Sequence, residues 1–219
     1  NHVDLIIADI MMPVMDGFEL CRSIKTDPTI NHIPIILLTA KADQGSSIEG
    51  LHDGAEAYIT KPFVPEYLIA TIDSILKNRK HIQSKILNLT PSMIKDDKIV
   101  VEVGLNPSDR KFLEKVQNTI KERLSEEKYT IDKLAVDVGM SYSSLYAKMK
   151  ALTGRSPLSY INNFKMNVAK EMILSGEYKI SEVGYAIGAS TSSSFAKMFR
   201  QHFGISPTEM KARCSGRQR

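Results

Sequence analysis

Three apolar runs, "VDLIIA" at 3–8, "IPIILLT" at 33–39 and "AEAYIT" at 55–60, alternate with amphipathic stretches. That alternation restricts the fold more than any other feature of the chain. A strand apolar on nearly every residue must be covered on both faces, and amphipathic helices between such strands supply the cover. The pattern therefore predicts an α/β domain with a parallel, doubly wound sheet. A helix is expected over "GFELCRSIK" (17–25), with Phe18, Leu20 and Ile24 packing inward, and another over "SSIEGLHDG" (46–54). A long one is expected over 64–80, with Leu68, Ile69, Ile72, Ile75 and Leu76 on its apolar face. Only three βα units are legible, where doubly wound domains ordinarily have five or six strands, so the expectation is a partial domain.

The first run ends in "DIMMPVMDG" (9–17), which puts Asp9 at the carboxyl end of a buried strand. Desolvating a lone carboxylate costs several kcal/mol, so Asp9 calls for partners. Thr39 ends the second strand and Lys61 follows the third, and ligands of open α/β sheets collect at these strand ends. A carboxylate, a hydroxyl and an ammonium converging on one crevice suit a phosphoryl group: Asp9 as nucleophile, Thr39 as donor to a phosphoryl oxygen, Lys61 as counter-charge. Each residue alone reads more readily as a turn cap, a strand residue or a surface charge. Their order and placement together carry the functional reading.

Residues 81–108 contain Pro91, Asp96-Asp97, Gly104 and Pro107 and read as a linker, with a short strand at "KIVVEV". From 109 onward the pattern is helical, and two stretches share one order of features. "TIDKLAVDVGMSYSSLYAKMKALTGRSP" (130–157) and "KISEVGYAIGASTSSSFAKMFRQHFGISP" (179–207) each run short helix, Gly, Ser-rich cap, second helix, Gly, Pro. Gly139 and Gly188 suit the positive φ of a tight turn, and Ser141, or Ser190 and Thr191, suit the next helix's cap. This describes an all-α domain with two helix-turn-helix units. Leu145, Met149 and Leu152 are expected to face the core in the first copy, leaving Ser143, Tyr146, Ala147 and Lys150 outward. Phe195, Phe199 and Phe203 do so in the second, leaving Ser192, Ser193, Ala196, Lys197 and Arg200 outward. A single helix over 158–174 joins the copies; were it to hold the second helices about 34 Å apart, they would enter successive major grooves.

Charge divides along the same line. Residues 1–104 hold 10 Lys+Arg against 14 Asp+Glu, and 105–219 hold 19 against 11. A basic helical half points to a polyanion. The two cysteines, Cys21 and Cys214, lack ligand spacing, so a reducing cytoplasmic setting is the simpler reading. No apolar run approaches the ~20 residues of a membrane helix. Asn1 in place of an initiator Met is read as the mark of a piece or a trimmed chain.

The motifs "DIMMPVMDG", "PIILLTAKA" and "AEAYITKPF" resemble the receiver domain of response regulators over about residues 1–80. The resemblance implies phosphorylation of Asp9 by a histidine kinase, a Met11 backbone carbonyl on Mg²⁺, reorientation of Thr39 and Tyr58, and phosphoryl binding by Lys61 across a cis bond to Pro62. The family's first strand, first helix and second strand have no counterpart, nor does the acidic pair that supplies most of its metal site, so little Mg²⁺ affinity is expected. "MSYSSLYAKMKALTGRSP", "FAKMFRQHFGISP" and "NVAKEMIL" resemble the AraC family over about 109–213. Ala147 stands where that family often has Arg, and Gly188-Ala189 where it has Gly-Phe. Together the two resemblances imply a receiver at 1–80, a linker at 81–108 and a DNA-binding domain at 109–219, similar to the C-terminal end of hybrid two-component sensors. They imply a homodimer on double-stranded DNA, with no membrane contact in these residues, that is not itself an enzyme; any kinase would lie upstream. Two rival readings are a phosphate-independent interaction module in 1–80 and an aspartyl-phosphate phosphohydrolase with Asp16 as its general acid.

Overall fold

The computed structural model describes residues 3–40, 54–87 and 104–215. The helix expected over 46–54 and the strand expected at 98–103 fall essentially outside these residues. The chain forms two compact units, one of residues 1–86 with 143–154 and the other of 87–142 with 155–219.

In the first unit, β1 (Ile6–Asp9), β2 (Ile35–Ala40) and β3 (Ala57–Lys61) form a parallel sheet in that spatial order. Asp9 pairs with Leu38, and Ala40 with Lys61, so the three carboxyl ends lie along one edge. The central strand is fully buried at Ile35, Ile36 and Leu37, as its unbroken apolar run requires. Helix α1 (Gly17–Thr26) covers one face and closes a core with Ala8, Ile10, Cys21, Ile24, Ile35 and Leu37. Phe18, Leu20 and Tyr58 pack against this core from its margin.

Helix α2 (Pro65–Ile86) runs past the boundary expected at 80. Ile82 and Ile86 continue the spacing of Ile75, and Ile86 is buried, so an apolar stripe carries the helix six residues into the presumed linker. Helix α5 (Tyr142–Thr153) also belongs to this unit.

The second unit is helical among its described residues: α3 (Pro107–Glu122), α4 (Ile131–Val138), α6 (Pro157–Ser175), α7 (Ile180–Ala186), α8 (Ser192–Phe203) and α9 (Pro207–Ser215). The punctuation read from the sequence sets these ends. Gly139 and Gly188 have φ of 73° and 77°, and Thr191 caps α8 by accepting from Ser194 N. The helix expected over 158–174 is α6, with Ser156 at its N-cap and Gly176 at its C-cap. Val183, Ile187, Phe195 and Phe199 pack on Met166, Ala169 and Ile173 of α6. Ala189 is buried in the same cluster.

Candidate functional site: a strand-end carboxylate and two outward helix faces

Asp9 ends β1 and pairs directly with the Lys61 ammonium through Oδ2, while its Oδ1 accepts from Met11 N at 3.2 Å. Lys61 ends β3 and precedes a cis bond to Pro62. Thr39 is buried one residue before the end of β2, its hydroxyl donating to Ala40 O at 3.2 Å. Tyr58 sits half-buried on the sheet face that packs against α1, level with Leu37. Asp9 and Lys61 are thus in contact, Thr39 lies on the strand between theirs, and Tyr58 is three residues back along β3.

Lys61's hydrogen bond, more than any other influence, holds the Asp9 carboxyl below the ordinary aspartate range. A depressed folded-state pKa gives stability that is present above the unfolded value of about 3.9 and disappears as pH falls through the folded value. Lys61→Met is therefore expected to move the Asp9 carboxyl titration upward toward that value in a carbon-13 NMR pH series. An unmoved midpoint would show that the ion pair does not set it.

The loop from Asp9 to α1 is held by close packing that sequence reading missed. Gly17 N donates to Ile10 O at 3.0 Å, and a Cβ at Gly17 would stand 2.6 Å from Asp9 O and 2.9 Å from Ile10 Cα. Only glycine fits there, which ties the start of α1 to the end of β1. Asp16 is the N-cap of α1: its Oδ1 accepts from Glu19 N at 2.7 Å, and Glu19 Oε2 accepts from Asp16 N at 3.2 Å. A carboxylate held in a capping box is poorly placed to serve as the general acid of the hydrolase reading.

Receiver domains generally bind Mg²⁺, an ion that demands near-octahedral oxygen ligation. Asp9 offers one carboxylate, already paired with Lys61, and Met11 a backbone carbonyl. Among the described residues no group of three or more His, Cys, Asp or Glu is disposed to hold a metal. The donor set does not fit the ion.

On the helical side, Leu145 and Met149 of α5 and Phe195 and Phe199 of α8 are fully buried, as expected of core stripes. Ser143 and Lys150 are exposed on α5, with Tyr146 and Ala147 half-buried. Ser192, Ser193, Lys197 and Arg200 are exposed on α8, with Ala196 half-buried. Hydroxyls and cations thus occupy the outer face of each second helix. No helix among the described residues is long and apolar enough to cross a membrane.

A carboxylate crevice at the carboxyl edge of a parallel sheet, followed by two helix-turn-helix units, defines a receiver segment joined to a helix-turn-helix domain of the AraC type. Residues 1–73 match the response regulator receiver domain family, and 134–213 match a helix-turn-helix domain family. Histidine kinase P4 of Formosa agariphila is 33% identical over 172 residues, 77% of this chain and 12% of that protein. Response regulator PleD of Caulobacter vibrioides is 46% identical over 74 residues, 34% of this chain and 16% of that protein. The chain thus spans a minor part of each. A crystal structure of an AraC-type transcriptional regulator from Chromobacterium violaceum aligns with TM-score 0.45 and 26% identity over 50% of this chain and 96% of that one.

Proposed function

We propose that this chain is the output end of a two-component response regulator, a sequence-specific DNA-binding transcription factor controlled by phosphorylation of Asp9. One observation carries the reading. A phosphoacceptor-like pair, Asp9 with Lys61, shares a chain with two helix-turn-helix units whose outer faces carry exposed Ser, Lys and Arg.

In the proposed transfer, an Asp9 carboxylate oxygen attacks the phosphorus of a phosphohistidine on a histidine kinase. The new O–P bond forms as the P–N bond breaks and imidazole leaves. Lys61 then neutralises the added charge, the Thr39 hydroxyl donates to a phosphoryl oxygen, and Tyr58 follows it inward. Phosphorylation favours a cytoplasmic homodimer on paired sites in double-stranded DNA. Ser143, Tyr146 and Lys150 of one helix and Ser192, Ser193, Lys197 and Arg200 of the other meet base edges and phosphates there. The chain is a phosphoacceptor and DNA binder rather than an enzyme; kinase activity belongs to sequence outside it. The receiver part extends through the end of α2 at Ile86, and the DNA-binding domain begins with α3 at Pro107.

The test is binding of the full chain to duplexes selected from a random pool, followed by fluorescence anisotropy across a salt series. Lys197→Ala with Arg200→Ala is expected to weaken binding and to lower the slope of log K against log salt by about one per lost phosphate contact. A slope identical to wild type removes these two residues from the interface. One alternative is that residues 1–80 are an interaction module blind to phosphate. DNA affinity that ignores a small-molecule phosphodonor, with no phosphoryl mass added at Asp9, would establish it.

A further inference from the structure

Helix α5 is buried on a face that its counterpart in the second repeat leaves open. Aligning the repeats on the glycines that end them, Gly154 and Gly204, sets Lys148 against Met198 and Ala151 against Gln201. Lys148 is 1% exposed where Met198 is 42% exposed, and Ala151 is buried where Gln201 is exposed. An ammonium at that depth costs several kcal/mol unless hydrogen bonds replace its water. Lys148 Nζ donates to Pro28 O at 2.6 Å and to Asn31 Oδ1 at 2.7 Å, both in the loop between α1 and β2. In the same loop, bonds from Thr29 hold the Asp27 carboxyl below its ordinary range, and the charge of Lys148 adds to the effect.

Three residues further along α5, Ala151 O accepts from Gln83 Nε2 at 2.7 Å and from Arg79 Nε at 3.2 Å, both on α2. Arg79 Nη2 also donates to His32 O at 2.9 Å, joining α2 to the same loop. Carbonyls in the last turn of a helix have no partner within it and carry the negative end of its dipole, so the Arg79 guanidinium caps α5 from outside. At the opposite end of α5, Tyr142 and Ser143 are exposed.

We propose that the face of α5 bearing Lys148 and Ala151 is a coupling surface for the 27–34 loop and α2, and that Lys148 is a positioning residue for DNA recognition that does not itself touch DNA. The proposal rests on the reading of α5 as a DNA-entering helix. The C-terminal half is anchored, while the N-terminal turn, the part that reads bases in helix-turn-helix proteins, exposes Tyr142 and Ser143. Docked α5 is the binding-competent state, because a helix already held in place loses less freedom on meeting the duplex. The loop that follows α1, and with it the segment that begins at Asp9, thereby acquires a direct hold on DNA affinity.

The experiment measures DNA binding by the full chain across a salt series for wild type, Lys148→Met, Asn31→Ala, their combination and Asn31→Asp, with circular dichroism confirming the fold of each. Met is chosen because the second repeat carries it at this position. Lys148→Met and Asn31→Ala are each expected to weaken binding about tenfold, with the salt slope unchanged. The combination should be no weaker than either alone, and Asn31→Asp, which keeps the acceptor oxygen, should bind like wild type. Unchanged or tighter binding by Asn31→Ala overturns the proposal, as does a slope lowered by about one in Lys148→Met, which would mean that Lys148 meets a phosphate. If wild type itself binds no duplex, the DNA-binding reading falls and takes this one with it.

Discussion

Phe199→Ala is expected to remove about 3–5 kcal/mol of stability from the helical unit, enough to unfold much of it. Phe199 is fully buried in α8 and lies between two other rings, 5.6 Å from Phe195 at an interplanar angle of 69° and 4.6 Å from Phe203 at 51°. Truncation removes the apolar contact area, leaves a cavity among Met166, Ala169, Ile173 and Val183, and abolishes two favourable ring arrangements. Urea titration followed by circular dichroism measures the loss. DNA binding should decline at temperatures where the variant unfolds. A change below about 1 kcal/mol would mean that the α7–α8 core collapses around the vacancy.

Gly188→Ala comes next in size, at about 2–5 kcal/mol, from two causes that can be separated. The residue has φ of 77°, a region that costs a residue with a Cβ roughly 1–2 kcal/mol. The added Cβ would also lie 2.8 Å from Ser125 O and 2.9 Å from Glu126 O. These are backbone atoms with no rotamer to change, so the chain must shift, as in other overpacked sites at about 1–3 kcal/mol. Gly176→Ala is the control: its φ is 76° and nothing stands within 4 Å of its Cβ. The difference in urea midpoint between the two variants measures the close approach alone. Equal effects would show that the turn after α7 does not press on the Ser125–Glu126 backbone.

The strand-end arrangement was legible because it depends on local pattern. An unbroken apolar run can only be a strand covered on both faces, and the residue that ends it has only one place to be. Asp9, Thr39 and Lys61 followed from that without any long-range information. The paired helix-turn-helix units were equally legible, since the Gly and Ser-rich turns that bound them are local signals. Features set by chain segments distant in sequence were not. The end of α2 was misplaced because Pro91, Gly104 and Pro107 drew the linker's start too early, although Ile82 and Ile86 keep the helical stripe. Gly17 read only as the first residue of a helix, whereas its need is the approach of the Asp9 carbonyl. Lys148 gave a single signal, its alignment with Met198 in the other repeat; a lysine beside a core stripe otherwise reads as a solvated charge. Its acceptors lie more than a hundred residues away, and nothing in the helix announces them.

The two repeats stand under unequal demands. The second-copy helix answers to its own core and to whatever meets its outer face, and it can drift or be exchanged with those alone in view. The first-copy helix also answers to a loop near the other end of the chain, through the bond from Lys148 to Asn31. Recombination between regulators should respect that bond. A chimera that grafts a foreign helix-turn-helix pair onto this receiver segment needs the donor's 27–34 loop as well, whereas replacing the second unit alone leaves the junction intact.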